Sequence, residues 1–146
     1  MAKNNHKDIN LIKHKIYNLN LDYVVKRISN KYKWDIKEAK ECEKLYKNFL
    51  FLNVLYKEDK RLVPTEEIDM FWHEHILHTK HYINHCEEIF GGYLQHDPLF
   101  DSEYGNIGAL FEETQELHKK EFGYYMYDIR INFKYCLKYF LNKLKK

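Results

Sequence analysis

Residues 65–98 read TEEIDMFWHEHILHTKHYINHCEEIFGGYLQHDP and carry most of the information in this chain. Six of its nine histidines fall in this stretch. Apolar or packing residues recur at steps of three and four from Ile68 to Ile89, which is helical spacing. Thr65 is a typical N-cap, and the Gly91–Gly92 pair is a typical helix end. The stretch therefore predicts one long, histidine-rich central helix at about 65–90.

Helical spacing also covers most of the remaining chain. It predicts helices at 20–33, about 36–58, 106–122 and a C-terminal helix through 129–144. Asp35 followed by Glu38 resembles a capping box. Residues 1–19 alternate weakly and are predicted as an N-terminal arm that could hold a short helix. Because Gly and Pro are scarce (5 and 2 of 146 residues), we expect an all-α, single-domain bundle of about five helices over residues 1–146.

The charge balance narrows the class of partner. The chain has 24 basic and 22 acidic residues, a net charge of +2, which argues against a nucleic-acid surface. No apolar run approaches the ~18–20 residues that cross a bilayer, so no membrane association is expected. The N-terminal residues lack the apolar core of a secretory signal. Cys42, Cys86 and Cys136 form no CxxC pair, which favours reduced thiols and a cytoplasmic protein.

Asp69 and His73 lie one turn apart, so on a helix their side chains share a face, separated by about 40°. They can chelate a metal together, or the carboxylate can orient the imidazole. His96 follows the glycine pair and can fold back toward that turn. The trio would supply three ligands and leave a fourth position open for water or substrate. The alternative is a hydrogen-bonded network that pins the loop to the helix.

The remaining histidines of the stretch fall on other faces. His73 and His75 point about 160° apart and cannot easily share an ion. His75 lies in the packing stripe, where we expect a hydrogen-bonded imidazole that supports the site or replaces a ligand. His78, His81 and His85 form a further face, either a solvated polar surface or an adventitious site for Zn²⁺, Ni²⁺ or Cu²⁺.

Several catalytic signatures are absent. The HExxH pattern fails because His73–Glu74–His75 is followed by Ile76 and Leu77. No GxGxxG, GxxxxGK[ST] or GxSxG occurs, so no nucleotide or organic cofactor is implied. His85 and Cys86 diverge as helix neighbours, and Cys86 is predicted to be a buried small hydrophobe rather than a nucleophile.

The central motif resembles the glycine-rich-domain-containing-protein-like family, a domain of unknown function in bacteria and plants. The resemblance covers about residues 35–123 and rests on an Asp, a Trp-His-x-His, and downstream Tyr, Cys, Gly and His-x-Pro: Asp69, Trp72, His73, His75, Leu77, Tyr82, Cys86, Gly91, His96 and Pro98, with Thr114 and Phe122–Gly123 beyond. The family often has a second His before the loop His, where this chain has Gln95. The resemblance brings no settled activity.

Two functions remain open from the sequence. The first is a metal-binding helical protein, with Zn²⁺ or Fe²⁺ held by Asp69, His73 and His96 and assisted by His75. An activated water on the open coordination position would make it a metalloenzyme of unknown substrate. The second is a non-catalytic protein-interaction module. In that case a Trp72–His75–Tyr82 face and the aromatic loop at 93–104 would bind a partner, because aromatic residues are enriched at such surfaces. Neither hypothesis selects a particular small molecule or protein partner.

Overall fold

A computed structural model describes residues 6–97 and 107–128, with side chains from Asp8 onward. These residues form six α-helices and no strand, which confirms the all-α prediction. The helices are α1 His6–Tyr17, α2 Asp22–Tyr32, α3 Ile36–Tyr56, α4 Glu66–Leu77, α5 Thr79–Phe90 and α6 Ile107–Phe122; a 3₁₀ turn, Met126–Asp128, follows.

The longest helix, α3, lies at the centre of the bundle. It contacts α1, α2, α4 and α6, while α4 also packs on α2 and α5. Burial runs without interruption from Leu45 to Asn53, because this part of α3 is covered on every side. Its aromatic side chains meet those of α4: Phe49 lies 5.3 Å from Trp72 and Tyr46 lies 5.0 Å from Phe71, between ring centroids. Each such ring contributes ~1.5–3 kcal/mol by leaving water.

The helix ends follow the sequence signals. Asp35 accepts a hydrogen bond from the Lys37 N–H at 2.8 Å, and Thr65 accepts one from Ile68 N–H at 3.4 Å. Gly91 ends α5 in the left-handed conformation, with φ +67°, where its missing Cβ avoids strain. The predicted N-cap residues Asp35 and Thr65 therefore mark the starts of α3 and α4, and Gly91 marks the end of α5.

The prediction of one helix at 65–90 is wrong, because the helix is interrupted at His78 and divides into α4 and α5. The His78 backbone has φ −86° and ψ 64°, outside the helical region. Its N–H bonds the carbonyl of His75 at 3.1 Å, and its ring Nδ1 bonds the carbonyl of Glu74 at 2.7 Å. The His78 side chain thus satisfies the Glu74 carbonyl, which in a continuous helix would accept from the next turn. The first turn of α5 then begins with the Tyr82 N–H donating to the His78 carbonyl.

The other predicted helices are found within two residues of the expected bounds. The stretch predicted as an N-terminal arm contains α1, whose Ile16 side chain is fully buried in the core. The predicted C-terminal helix lies outside the described residues, as do Pro98, Phe100 and Tyr104. Cys42 and Cys86 are buried and free. Within the described ranges, no helix combines the length and apolar content needed to span a bilayer.

Candidate metal centre

The structure brings Asp69, His73 and His96 together on one face of α4. Each residue offers one ligand atom, and these three atoms all lie within 4.8 Å of one another. Asp69 and His73 share a face of α4, whereas His96 comes from the loop that follows α5. His73 is exposed and the other two are half-buried, so the cluster opens to solvent on one side. These are the three side chains that the sequence grouped.

Asp69 and His96 already contact each other directly. The imidazole Nε2 lies 2.5 Å from the carboxylate Oδ1, and the His96 side chain is only 16% exposed against 41% for Asp69. His73 approaches from the side, with its ring centroid 5.4 Å from that of His96 and the planes at 82°. An ion shared by these groups needs the ligand atoms roughly 3.3–3.6 Å apart, because its tetrahedral bonds are about 2.0–2.2 Å long. To bind an ion, the Asp69 and His96 ligand atoms would move slightly apart, and the His73 side chain would rotate toward them.

His96 is held in place by a buried bridge between α4, α5 and the loop. Its ring stacks on Trp72, with centroids 4.1 Å apart and planes tilted by 34°. The Trp72 indole N–H donates to the Tyr82 hydroxyl at 3.0 Å, and that hydroxyl donates to the Leu94 carbonyl at 2.6 Å. Because Trp72, Tyr82 and Leu94 are all buried, this bridge fixes the backbone two residues before His96.

Removing the central hydroxyl should loosen this loop. Tyr82→Phe leaves the Trp72 N–H and the Leu94 carbonyl without their partner, and an orphaned buried group typically costs about 1–3 kcal/mol. We expect the free energy of unfolding in urea to fall by about 2–3 kcal/mol. Tyr93→Phe is the matched control, because Tyr93 is 47% exposed and should change stability by less than ~0.5 kcal/mol. Equal effects of the two substitutions would contradict the bridge.

The structure does not bring His75 into this group. Its Nδ1 lies 2.7 Å from the Tyr46 hydroxyl and its Nε2 lies 2.9 Å from His85 Nδ1, so both ring nitrogens are engaged elsewhere. Burial is the main cause that lowers the pKa of His75 to about 3, with smaller contributions from the positive forms of His85, His78 and His81. His75 is therefore a neutral core imidazole rather than a ligand in this arrangement.

Sequence reasoning missed the partners of the buried polar groups on α4. Glu74 is buried and pairs with Lys31 Nζ at 2.6 Å and with Arg27 Nε at 3.9 Å, both from α2. Tyr46, which bonds His75, comes from α3. No local pattern signals these contacts, because the partners lie 29 to 47 positions away in sequence.

The proposed aromatic interaction face is not a surface. Trp72, His75 and Tyr82 are buried, and so is Leu94 in the loop. Of the aromatic residues assigned to that binding surface, the described part of the chain leaves Tyr93 exposed. The interaction-module hypothesis therefore loses its main face, while its hydrogen-bond network is present as the contact between Asp69 and His96.

The fold and the site define a small all-α protein with a His/Asp cluster that could hold a metal ion. A family model described as UCP032817-like matches residues 9–102, and the chain belongs to that family.

Two plant proteins from Arabidopsis thaliana are similar to part of the chain. Glycine-rich domain-containing protein 1 is 36% identical over 84 residues, covering 53% of this chain and 10% of that protein. Glycine-rich domain-containing protein 2 is 32% identical over 82 residues, covering 47% and 10%. The family resemblance expected from the motif is thus confirmed, although the match spans about a tenth of these relatives' length. No solved structure matches the chain.

Proposed function

We propose that this protein binds one divalent metal ion, Zn²⁺ or Fe²⁺, through Asp69, His73 and His96. The observation that carries the proposal is the convergence of one carboxylate and two imidazoles within 4.8 Å, from a helix and a separate loop. Two His and one carboxylate are the donor set of catalytic zinc sites and of non-haem iron sites. Four-coordinate zinc would leave one position for water, and six-coordinate iron would leave three.

The surroundings favour binding at the half-buried end of the cluster. The indole of Trp72 covers one face of His96 and limits the ways in which that imidazole can rotate. Arg61 lies 3.5 Å from the neighbouring Asp97 carboxylate and ties the loop back to the segment before α4. His73, on the solvent side, is the ligand that would complete the site and face an entering small molecule. A bound ion would lower the pKa of its water toward neutrality, which is the chemistry that a hydrolytic reaction would need.

The two candidate ions would be distinguished by elemental analysis. Protein purified without a polyhistidine tag, and carrying His81→Ala so that the neighbouring histidine pair on α5 holds no metal, should contain close to one equivalent of zinc or iron. Adding His73→Ala should remove most of it, because one carboxylate and one imidazole remain in the cluster. His14→Ala is the matched control, since His14 is an exposed histidine on α1, remote in sequence from the cluster. Iron has to be assayed under reducing, anaerobic conditions. Wild-type protein free of metal even after reconstitution would contradict the proposal.

The competing function is a polar network that pins the loop without an ion, as part of an interaction module. The direct contact of Asp69 with His96 favours it, because a carboxylate and an imidazole stabilise each other without metal. In that case wild-type protein should melt at the same temperature with and without chelator. A cytoplasmic setting suits either function, because Cys42 and Cys86 are free thiols in the core.

A further inference from the structure

We propose a second cation site on α5, formed by His81 and His85, for a borderline divalent ion of the Zn²⁺, Cu²⁺ or Ni²⁺ class. The pair lies one turn apart on the helix and is separate from the Asp69–His73–His96 cluster. The two sites lie on different sides of α4, because His85 contacts His75 and the His75 side chain points about 160° away from that of His73. Imidazole is a preferred ligand of all three ions.

The two rings are close enough to share an ion. Their centroids lie 6.2 Å apart and their planes are tilted by 36°. An ion about 2.1 Å from one nitrogen of each ring lies roughly 3.2 Å from each centroid, so shared binding places the centroids roughly 5–6.4 Å apart. The observed separation falls within that range. Only side-chain rotation is needed, with α5 unchanged.

Each ring is anchored by a neighbouring helix. His85 Nδ1 lies 2.9 Å from His75 Nε2, and His75 Nδ1 lies 2.7 Å from the Tyr46 hydroxyl, with Tyr46 and His75 both in the core. The His81 ring lies against Tyr23 of α2, with centroids 4.8 Å apart and planes at 34°. A ligand imidazole typically has its second nitrogen fixed by a hydrogen bond, as His85 has. Ordinary surface histidine pairs lack this support and lose more side-chain freedom on binding.

The anchoring leaves one nitrogen of His85 for the ion, namely Nε2, and this fixes the protons in the chain. With an ion on Nε2, the His85 Nδ1–H donates to His75 Nε2, and the His75 Nδ1–H donates to the Tyr46 oxygen. Without an ion, the Tyr46 O–H donates to His75 Nδ1, and the His75 Nε2–H donates to His85 Nδ1, which lets every group in the chain donate or accept. Both arrangements hold the same number of protons. Metal binding therefore reverses the donor-to-acceptor direction of the Tyr46–His75–His85 hydrogen bonds without changing the charge of these three groups.

His78 is not a ligand of this site, although it shares the surface. Its Nδ1 bonds the Glu74 carbonyl at 2.7 Å, and the edge of its ring meets Tyr23 with centroids 4.8 Å apart. His78 serves the break between α4 and α5. The sequence-based face of three histidines thus divides into one capping residue and one pair.

Zinc titration by calorimetry tests the pair. In an Asp69→Asn, His73→Ala background, which leaves His96 as the single remaining ligand of the first cluster, we expect one equivalent of Zn²⁺ to bind. His81→Ala and His81→Phe should each weaken that binding at least tenfold; the phenylalanine keeps a ring against Tyr23 and so controls for packing. His14→Ala should change nothing. Undiminished binding in both His81 variants overturns the proposal, and the result does not depend on whether the first cluster binds metal.

The reversal of the Tyr46–His75–His85 hydrogen bonds supplies a second readout. In protein with ¹⁵N-labelled histidine, saturation with Zn²⁺ should move the proton of His75 from Nε2 to Nδ1, which exchanges the two ring ¹⁵N shifts. The same Zn²⁺ concentration should leave His75 unchanged in His81→Phe. Zinc binding with the His75 tautomer unaltered in the parent protein would identify an adventitious ion only and would overturn the proposal.

Discussion

Zn²⁺ or Fe²⁺ at one hundred times its dissociation constant is expected to raise the free energy of unfolding by about 2.7 kcal/mol. The ion stabilises only the folded chain, because His96 is 27 residues from Asp69 in sequence and meets it only after α5 has packed. Urea unfolding in the presence and absence of the ion measures the difference. His81→Ala should be the background for these measurements, so that the imidazole pair on α5 contributes nothing.

Asp69→Asn is the decisive variant, because it keeps the shape of the side chain and removes the anionic ligand. The stabilisation by metal should fall to near zero in this variant. Asp8→Asn changes an exposed carboxylate on α1, remote in sequence from the cluster, and it should retain the full increment. An increment that survives in Asp69→Asn, or one that is absent from the parent protein, would leave the direct Asp69–His96 contact as a structural network alone.

The sequence could predict the elements whose signals are local. The cap at Asp35 and the glycine at position 91 mark helix ends through their own side chain or its absence, so the start of α3 and the end of α5 could be predicted. The Asp69–His73 pair followed from helical spacing alone. The approach of His96 was expected from the short loop after the glycine pair, and the structure places it there.

The break at His78 could not be predicted, because the apolar stripe continues through it at helical steps. In an unbroken helix, His75 and His85 would lie about 15 Å apart along the axis and could not meet. The break turns α5 back so that their rings bond at 2.9 Å, and it also lets Tyr82 reach Trp72. Most of the polar contacts around the site thus depend on a single backbone conformation for which periodicity gives no signal.

Mild acid is expected to destabilise the protein through His75. Burial lowers the pKa of His75 to about 3 in the folded chain, against an ordinary value near 6.5 in the unfolded chain. Above pH 6.5 the imidazole is neutral in both states and has no effect on the pH dependence. Below it, the unfolded chain binds a proton that the folded chain refuses, so stability falls by up to ~1.4 kcal/mol per pH unit until about pH 3. Between pH 7 and pH 5 the loss from this residue should be roughly 2 kcal/mol.

Urea unfolding at pH 7, 6 and 5, with chelator present throughout, measures this loss above the range in which most carboxylates titrate. His75→Gln should lower stability at pH 7 yet give a shallower slope, because the amide cannot take up a proton. Some slope should remain, since burial also lowers the pKa of His85 and His118. His14→Gln, on the exposed face of α1, should keep the parent slope. A parent protein equally stable at pH 7 and pH 5 would contradict the lowered pKa of His75. It would mean that the core holds a charged His75, which donates one N–H to the Tyr46 oxygen and the other to His85 Nδ1.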